Sequence, residues 1–153
     1  MSSSKSGPTF ASRKSTKNVV DEYGALSKNK NIPGQAHHLN QDAAYKKVIP
    51  TKKGVSSKLK GNAFKEIDSP HYNAHENMES FWNQYRRGGS NFGKTPTNLQ
   101  YSKALVTSLK AAGKSKDEAM VLARAASKQR IKYGLLGGQE VPRIPGRVNQ
   151  SKR

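Results

Sequence analysis

Apolar residues are sparse in this chain, and they recur at helical spacing mainly in its second half. His71, His75, Met78, Trp82 and Tyr85 fall at i, i+4, i+7, i+11 and i+14, one continuous helix face. Ser69 suits the N-cap of that helix. Pro70 suits its first position, where a missing N–H costs nothing, and Gly88-Gly89 stops it near Arg87. Thr95-Pro96 repeats the logic and opens a helix ending near Gly113, with Tyr101, Leu105 and Leu109 as its stripe. Ser115-Lys116-Asp117-Glu118 is a capping box. The helix it opens carries Met120, Leu122, Ala123, Ala126 and Ile131 to about Tyr133, and Gly134 stops it.

The first half is weaker in pattern. Ile32-Pro33-Gly34 is a turn signal, and residues 34–39 read as a brief extended segment ending at His37-His38. Asn40 can cap a short helix from Gln41 to Val48, closed by Pro50. Residues 51–60 read as a basic loop, and residues 61–67 as a second short strand with Ala63, Lys65 and Ile67 on one side. Residues 1–31, rich in Ser, Lys, Gly and Asn, read as a flexible basic arm or linker, with one weak helical turn between Val19 and Leu26. The chain thus divides into an arm (1–31), a small α+β core (32–94), a helical extension (95–134) and a basic extended tail on the surface (135–153).

Charge changes the picture more than hydropathy does. Of 153 residues, 28 are Lys or Arg and 10 are Asp or Glu, a net charge of +18 spread over both halves. That excess exceeds what solubility requires and points to a polyanionic partner. A ribosomal or chromatin-type binding protein fits it as well as an enzyme does. A hydrophobic fraction of 33% implies a small core. Without cysteine, disulfides, thiolate-bound zinc and thiol catalysis are excluded. No apolar run reaches the ~18 residues of a membrane span. Met1-Ser2-Ser3-Ser4-Lys5 lacks the apolar stretch of a secretory signal, so export would need another route.

All four histidines fall in two pairs, His37-His38 and His71-x-x-x-His75. Two imidazoles one turn apart on a helix form a rigid half-chelate. An adjacent pair on a strand sends its side chains to opposite faces, so one can join a metal while the other addresses a water. Phosphodiester hydrolysis needs both jobs: a cation on the phosphate oxygens and a base for the attacking water. Three imidazole ligands would leave positions open for both. Trp82 and Tyr85 read as core rather than as base-stacking residues.

The order Ala36-His37-His38, Asn62, His71-x-x-x-His75 resembles the HNH/endonuclease VII superfamily, the ββα-metal nucleases. It is most similar to the toxin domains that open on an "AHH" doublet and, in metal geometry, to the nuclease colicins. This likeness covers residues 32–87. The run from Thr95 to Arg147, ending Val141-Pro-Arg-Ile-Pro-Gly-Arg147, more loosely resembles C-terminal modules of bacterial polymorphic toxins of the Rhs and contact-dependent-inhibition types. The resemblance implies a ββα-metal core. In it His38 is the general base, His37, His71 and His75 hold one divalent ion (Mg2+ or Zn2+), and Asn62 braces the base, with Asn40 and Asn73 as competitors. It also implies a non-specific DNase acting as an antibacterial toxin in a competitor's cytoplasm, with an acidic immunity protein as partner. Lys52, Lys53, Lys58, Lys60, Arg86, Arg87 and Lys94 are the candidate phosphate contacts. An RNase toxin on the same scaffold, or a non-catalytic nucleic-acid-binding protein with a structural zinc, remains open.

Overall fold

The computed structural model describes residues 19–147. The chain runs β1 (Asp21–Glu22), α1 (Tyr23–Lys28), β2 (Gln35–His38), α2 (Asp42–Tyr45), a 3-10 turn (Thr51–Lys53), β3 (Val55–Leu59), α3 (Pro70–Asn83), α4 (Asn98–Ala111) and α5 (Lys116–Lys132). The fold is α+β: a three-stranded antiparallel sheet in the order β1-β3-β2, followed by three longer helices. No described helix is long and apolar enough to cross a membrane.

The long helices start on their own side chains. Ser69 accepts a hydrogen bond from the Tyr72 N–H at 3.2 Å, and Pro70 opens α3. Ser115 and Glu118 complete the capping box of α5. Thr97 and Gln100 form a second box, so α4 begins two residues after the expected Thr95-Pro96 start. Pro96 instead offers its carbonyl to the Val141 N–H at 2.9 Å.

One core draws on both sides of residue 94. Leu39, Tyr45 and Ile49 pack with Met78 and Trp82 of α3, Tyr101, Leu105 and Leu109 of α4, and Leu122 and Ala126 of α5. Each buried aliphatic side chain contributes about 1.5–3 kcal/mol. The buried face of α5 is Ala119, Leu122, Ala123, Ala126 and Arg130, while Met120 and Ile131, expected in its stripe, are exposed.

Polar anchors tie the helices to the strand that carries the histidine doublet. Tyr101 donates to the Leu39 carbonyl at 2.6 Å. Arg130 donates to Asn40 Oδ1 at 2.7 Å, and Asn40 donates to the Ala126 carbonyl at 2.9 Å. Asn40 is therefore a buried link to α5 rather than the cap of α2, which follows Gln41 and ends at Tyr45. Gln129 accepts from the Val55 N–H at 2.9 Å and donates to the Lys53 carbonyl at 2.8 Å.

Three expectations are corrected here. The second strand is Val55–Leu59, inside the stretch expected to be a loop, and residues 61–67 are turns. Gly61 at φ +91° and Asp68 at φ +68° bend the chain away from strand geometry there. The arm is ordered from Val19 onward: β1 pairs with β3, Asp21 opposite Ser56 and Glu22 opposite Val55, and α1 follows where a helical turn was expected. The described part of the C-terminal tail runs over the surface without helix, as expected, and is anchored there. Val141 and Pro145 are buried, and Arg86 donates to the Pro145 carbonyl at 3.0 and 2.8 Å. The parts of arm and tail at 1–18 and 148–153 lie outside the described residues.

Candidate metal centre

β2 and β3 pair antiparallel, with His37 opposite Ser57 and His38 opposite Ser56. Alternation along β2 sends the two imidazoles to opposite sides, as the adjacent pair implied. The turn after β3 leads directly into α3, whose second residue is fixed by the His71 N–H donating to the Lys60 carbonyl at 2.9 Å. One helical turn then separates His71 from His75 on the same face.

These elements bring three imidazoles together. The ring of His37 lies 5.0 Å from that of His71 and 5.1 Å from that of His75, and the latter two are 5.0 Å apart, all meeting edge to face. One nitrogen from each falls within 4.8 Å of the others, close enough for the three to bind a metal ion. His37 and His71 are buried and His75 is half-buried.

The donor chemistry fits a cation. Gln35 Oε1, which can only accept, lies 2.9 Å from His71 Nδ1, so that nitrogen carries the proton and Nε2 keeps its lone pair. It is the kind of outer hydrogen bond that would orient a ligating histidine. His37 Nδ1 is buried with no hydrogen-bond partner, an orphan that a ligand role would satisfy. Burial pushes the imidazolium of His71 down to about 4, with His75 adding to the effect and a bond to the Gly61 backbone opposing it. Burial first, then His38, pushes His75 to about 4, and His37 is lowered by burial and by the other three rings. All three are therefore neutral imidazoles at pH 7, each with a lone pair to offer a cation.

The shift has a thermodynamic consequence. An imidazole with a folded pKa near 4 and an unfolded value of 6.5 leaves the unfolded chain binding more protons between those values. Its contribution is intact above pH 6.5 and is lost as pH falls toward 4. It amounts to at most roughly 3 kcal/mol for each such group. The metal-free protein is expected to show a lower urea midpoint at pH 4.5 than at pH 7. Equal midpoints would mean that the cluster is not held neutral by burial.

His38 occupies a separate setting in the same cleft, a cavity of about 790 Å³ also lined by His37, His71 and His75. Its Nε2 lies 2.9 Å from the Thr51 carbonyl, which fixes the proton on Nε2 and leaves Nδ1 as the free acceptor. The Asp42 carboxylate stands 4.0 Å from the same nitrogen. Tyr23 stacks on the ring, centroids 4.1 Å apart and planes within 10°. Gly54 stands close against the ring: a Cβ there would sit 2.7 Å from His38 Cδ2. No family model, curated protein or solved structure matches the chain.

The other candidates scatter. Asn62 lines the cleft, but its Oδ1 accepts from the Phe64 and Lys65 N–H groups at 2.9 and 3.0 Å, an Asx turn rather than a brace for His38. Lys58 borders the cleft, with its ammonium donating to the Asn29 and Gly34 carbonyls. Lys52, Lys53 and Lys60 are exposed on the flanks of β3. Arg86 is not a phosphate contact: it is buried, paired with Glu79 at 2.8 Å and holding the tail. Arg87 and Lys94 are exposed beyond the far end of α3, roughly 18 Å from His71 at 1.5 Å per helical residue.

Residues that sequence reasoning missed complete the site. Gln35 had a signal, since it is two positions before His37 and shares its strand face. Asp42 had one in its i+4 spacing from His38. Tyr23, Thr51 and Gly54 carried none, because only the long-range pairing of β1 with β3 brings Tyr23 to His38.

Proposed function

We propose that this chain is a metal-dependent endonuclease of the strand-strand-helix kind, hydrolysing phosphodiester bonds in DNA without strong sequence preference. The observation that carries the reading is the division among the four histidines: three converge as neutral ligands, and the fourth stands in the same cleft with its own hydrogen-bond partner. A structural zinc site would account for the three but not for the fourth.

His37, His71 and His75 would hold the ion. An all-imidazole set suits zinc or a neighbouring transition metal better than magnesium, which prefers oxygen ligands. Such an ion would supply a Lewis acid for the phosphate oxygen and the leaving oxygen. The chain's own residues do the rest. His38 Nδ1 takes the proton of the attacking water while the Thr51 carbonyl holds the ring by its Nε2–H. Asp42 faces the positive charge the ring then carries. Tyr23 and Gly54 keep the imidazole from swinging out of line. The net charge of +18 draws the polyanion.

The biological role proposed with it is that of an antibacterial toxin acting in a competitor's cytoplasm. Its immunity partner would be an acidic protein recruited quickly by charge. The activity is tested on supercoiled plasmid, single-stranded circular DNA and a long RNA, each with added divalent metal and with chelator. Metal-dependent scission of DNA is expected. Intact substrates in every tube would remove the nuclease reading, and RNA cut to the exclusion of DNA would replace DNase with RNase.

A further inference from the structure

Phe64 is the one large apolar side chain in the cleft wall left substantially open to solvent, 43% exposed. Its ring centroid lies 5.4 Å from that of His75, tilted by 58°. It therefore stands beside the three-histidine cluster with its face open to the cleft rather than folded into the core. The backbone that carries the ring is held in place. The Asn62 side chain accepts both the Phe64 and Lys65 N–H groups, Ala63 beside it is buried, and the Glu66 N–H donates to the Asn62 carbonyl at 3.2 Å. Lys30 and Lys58 border the same cleft, and Lys60 and Lys65 lie exposed on the flanking chain. An aromatic face among cations is the pairing that receives single strands: the cations follow the backbone, and the ring takes a base whatever its sequence.

We propose that Phe64 is a stacking platform for an unpaired nucleobase adjoining the phosphate held at the three histidines, so that the protein prefers single-stranded to paired nucleic acid. The inference rests on the nuclease reading and narrows its substrate. A base within a duplex is stacked on its neighbours, and placing it on Phe64 requires unstacking it first, a cost an unpaired strand does not bear. The same geometry gives Asn62 a role: it positions Phe64.

Two measurements separate this subsite from the reaction. In metal-loaded protein carrying His38→Ala, so that strands are not consumed, Phe64→Trp introduces an exposed indole; the only native tryptophan, Trp82, is fully buried. Quenching of that indole by an oligothymidylate, at about tenfold lower concentration than by a duplex of equal length, is the expected result. In the cleaving protein, Phe64→Ala is expected to raise KM for a single-stranded substrate about tenfold, the loss falling on KM rather than kcat. No quenching, equal quenching by duplex, or weakened metal binding with KM unchanged would each overturn the subsite; the last would mean that Phe64 merely shields His75. Because the quenching arm involves no scission, it reads the subsite even if the wild type proves unable to cut. Scission without quenching removes the subsite alone.

Discussion

Replacing His75 by alanine is expected to weaken divalent-metal binding by more than about a hundredfold and to abolish scission with it. The reason lies in the geometry of the pair. His71 and His75 share one face of α3, whose start is fixed by the Ser69 cap and by the bond from the His71 N–H to Lys60. A pair of donors on a rigid, capped helix would contribute through preorganisation, and removing one ring leaves only His71 and His37 of the cluster. Losing even an outer hydrogen bond from a metal site costs 10–100-fold, so losing a ligand costs more. The fold should survive, because His75 is half-buried and lies outside the main core. Calorimetric metal titration of the variant beside wild type, with circular dichroism as the folding control, reads this directly. Wild-type affinity in the variant would remove His75 from the centre.

How much of this was legible in the sequence depends on how local each cause is. The caps of α3 and α5, the histidine pair on α3 and the extended doublet are set by neighbours within a few residues, and they stand where the spacing puts them. The second strand was misplaced because β3 does not look like a strand. Leu59 is its one buried apolar residue; Ser56 and Ser57 fill the buried positions opposite the histidines, and Ser56 satisfies its hydroxyl on the Gly54 carbonyl at 3.0 Å. The alternation of Ala63, Lys65 and Ile67 suggested a strand, but the Asn62 side chain captures two backbone N–H groups that a strand would need. The first strand has two residues and exists only through β3. Nothing local could reveal it, and with it Tyr23, the wall behind His38, was lost in an apparent arm. Arg86 shows the same limit in reverse: its basic neighbourhood suggested phosphate, while its real partners, Pro145 and Gly146, lie some sixty positions away.

The division of labour among the histidines is tested most directly at His38. A positioned general base is worth about 10²–10⁴ in rate. The hydrogen bond to Thr51, the stacked Tyr23 and the close approach of Gly54 all act on His38 without touching the other three rings. Its substitution should therefore leave the metal centre whole. The decisive measurement is single-turnover scission by wild type and by His38→Ala, each loaded with one equivalent of the same divalent ion and matched for occupancy. The account predicts equal metal affinity, an unchanged fold, and turnover lower by about a thousandfold in the variant. Full turnover by His38→Ala, or loss of its metal, would contradict it.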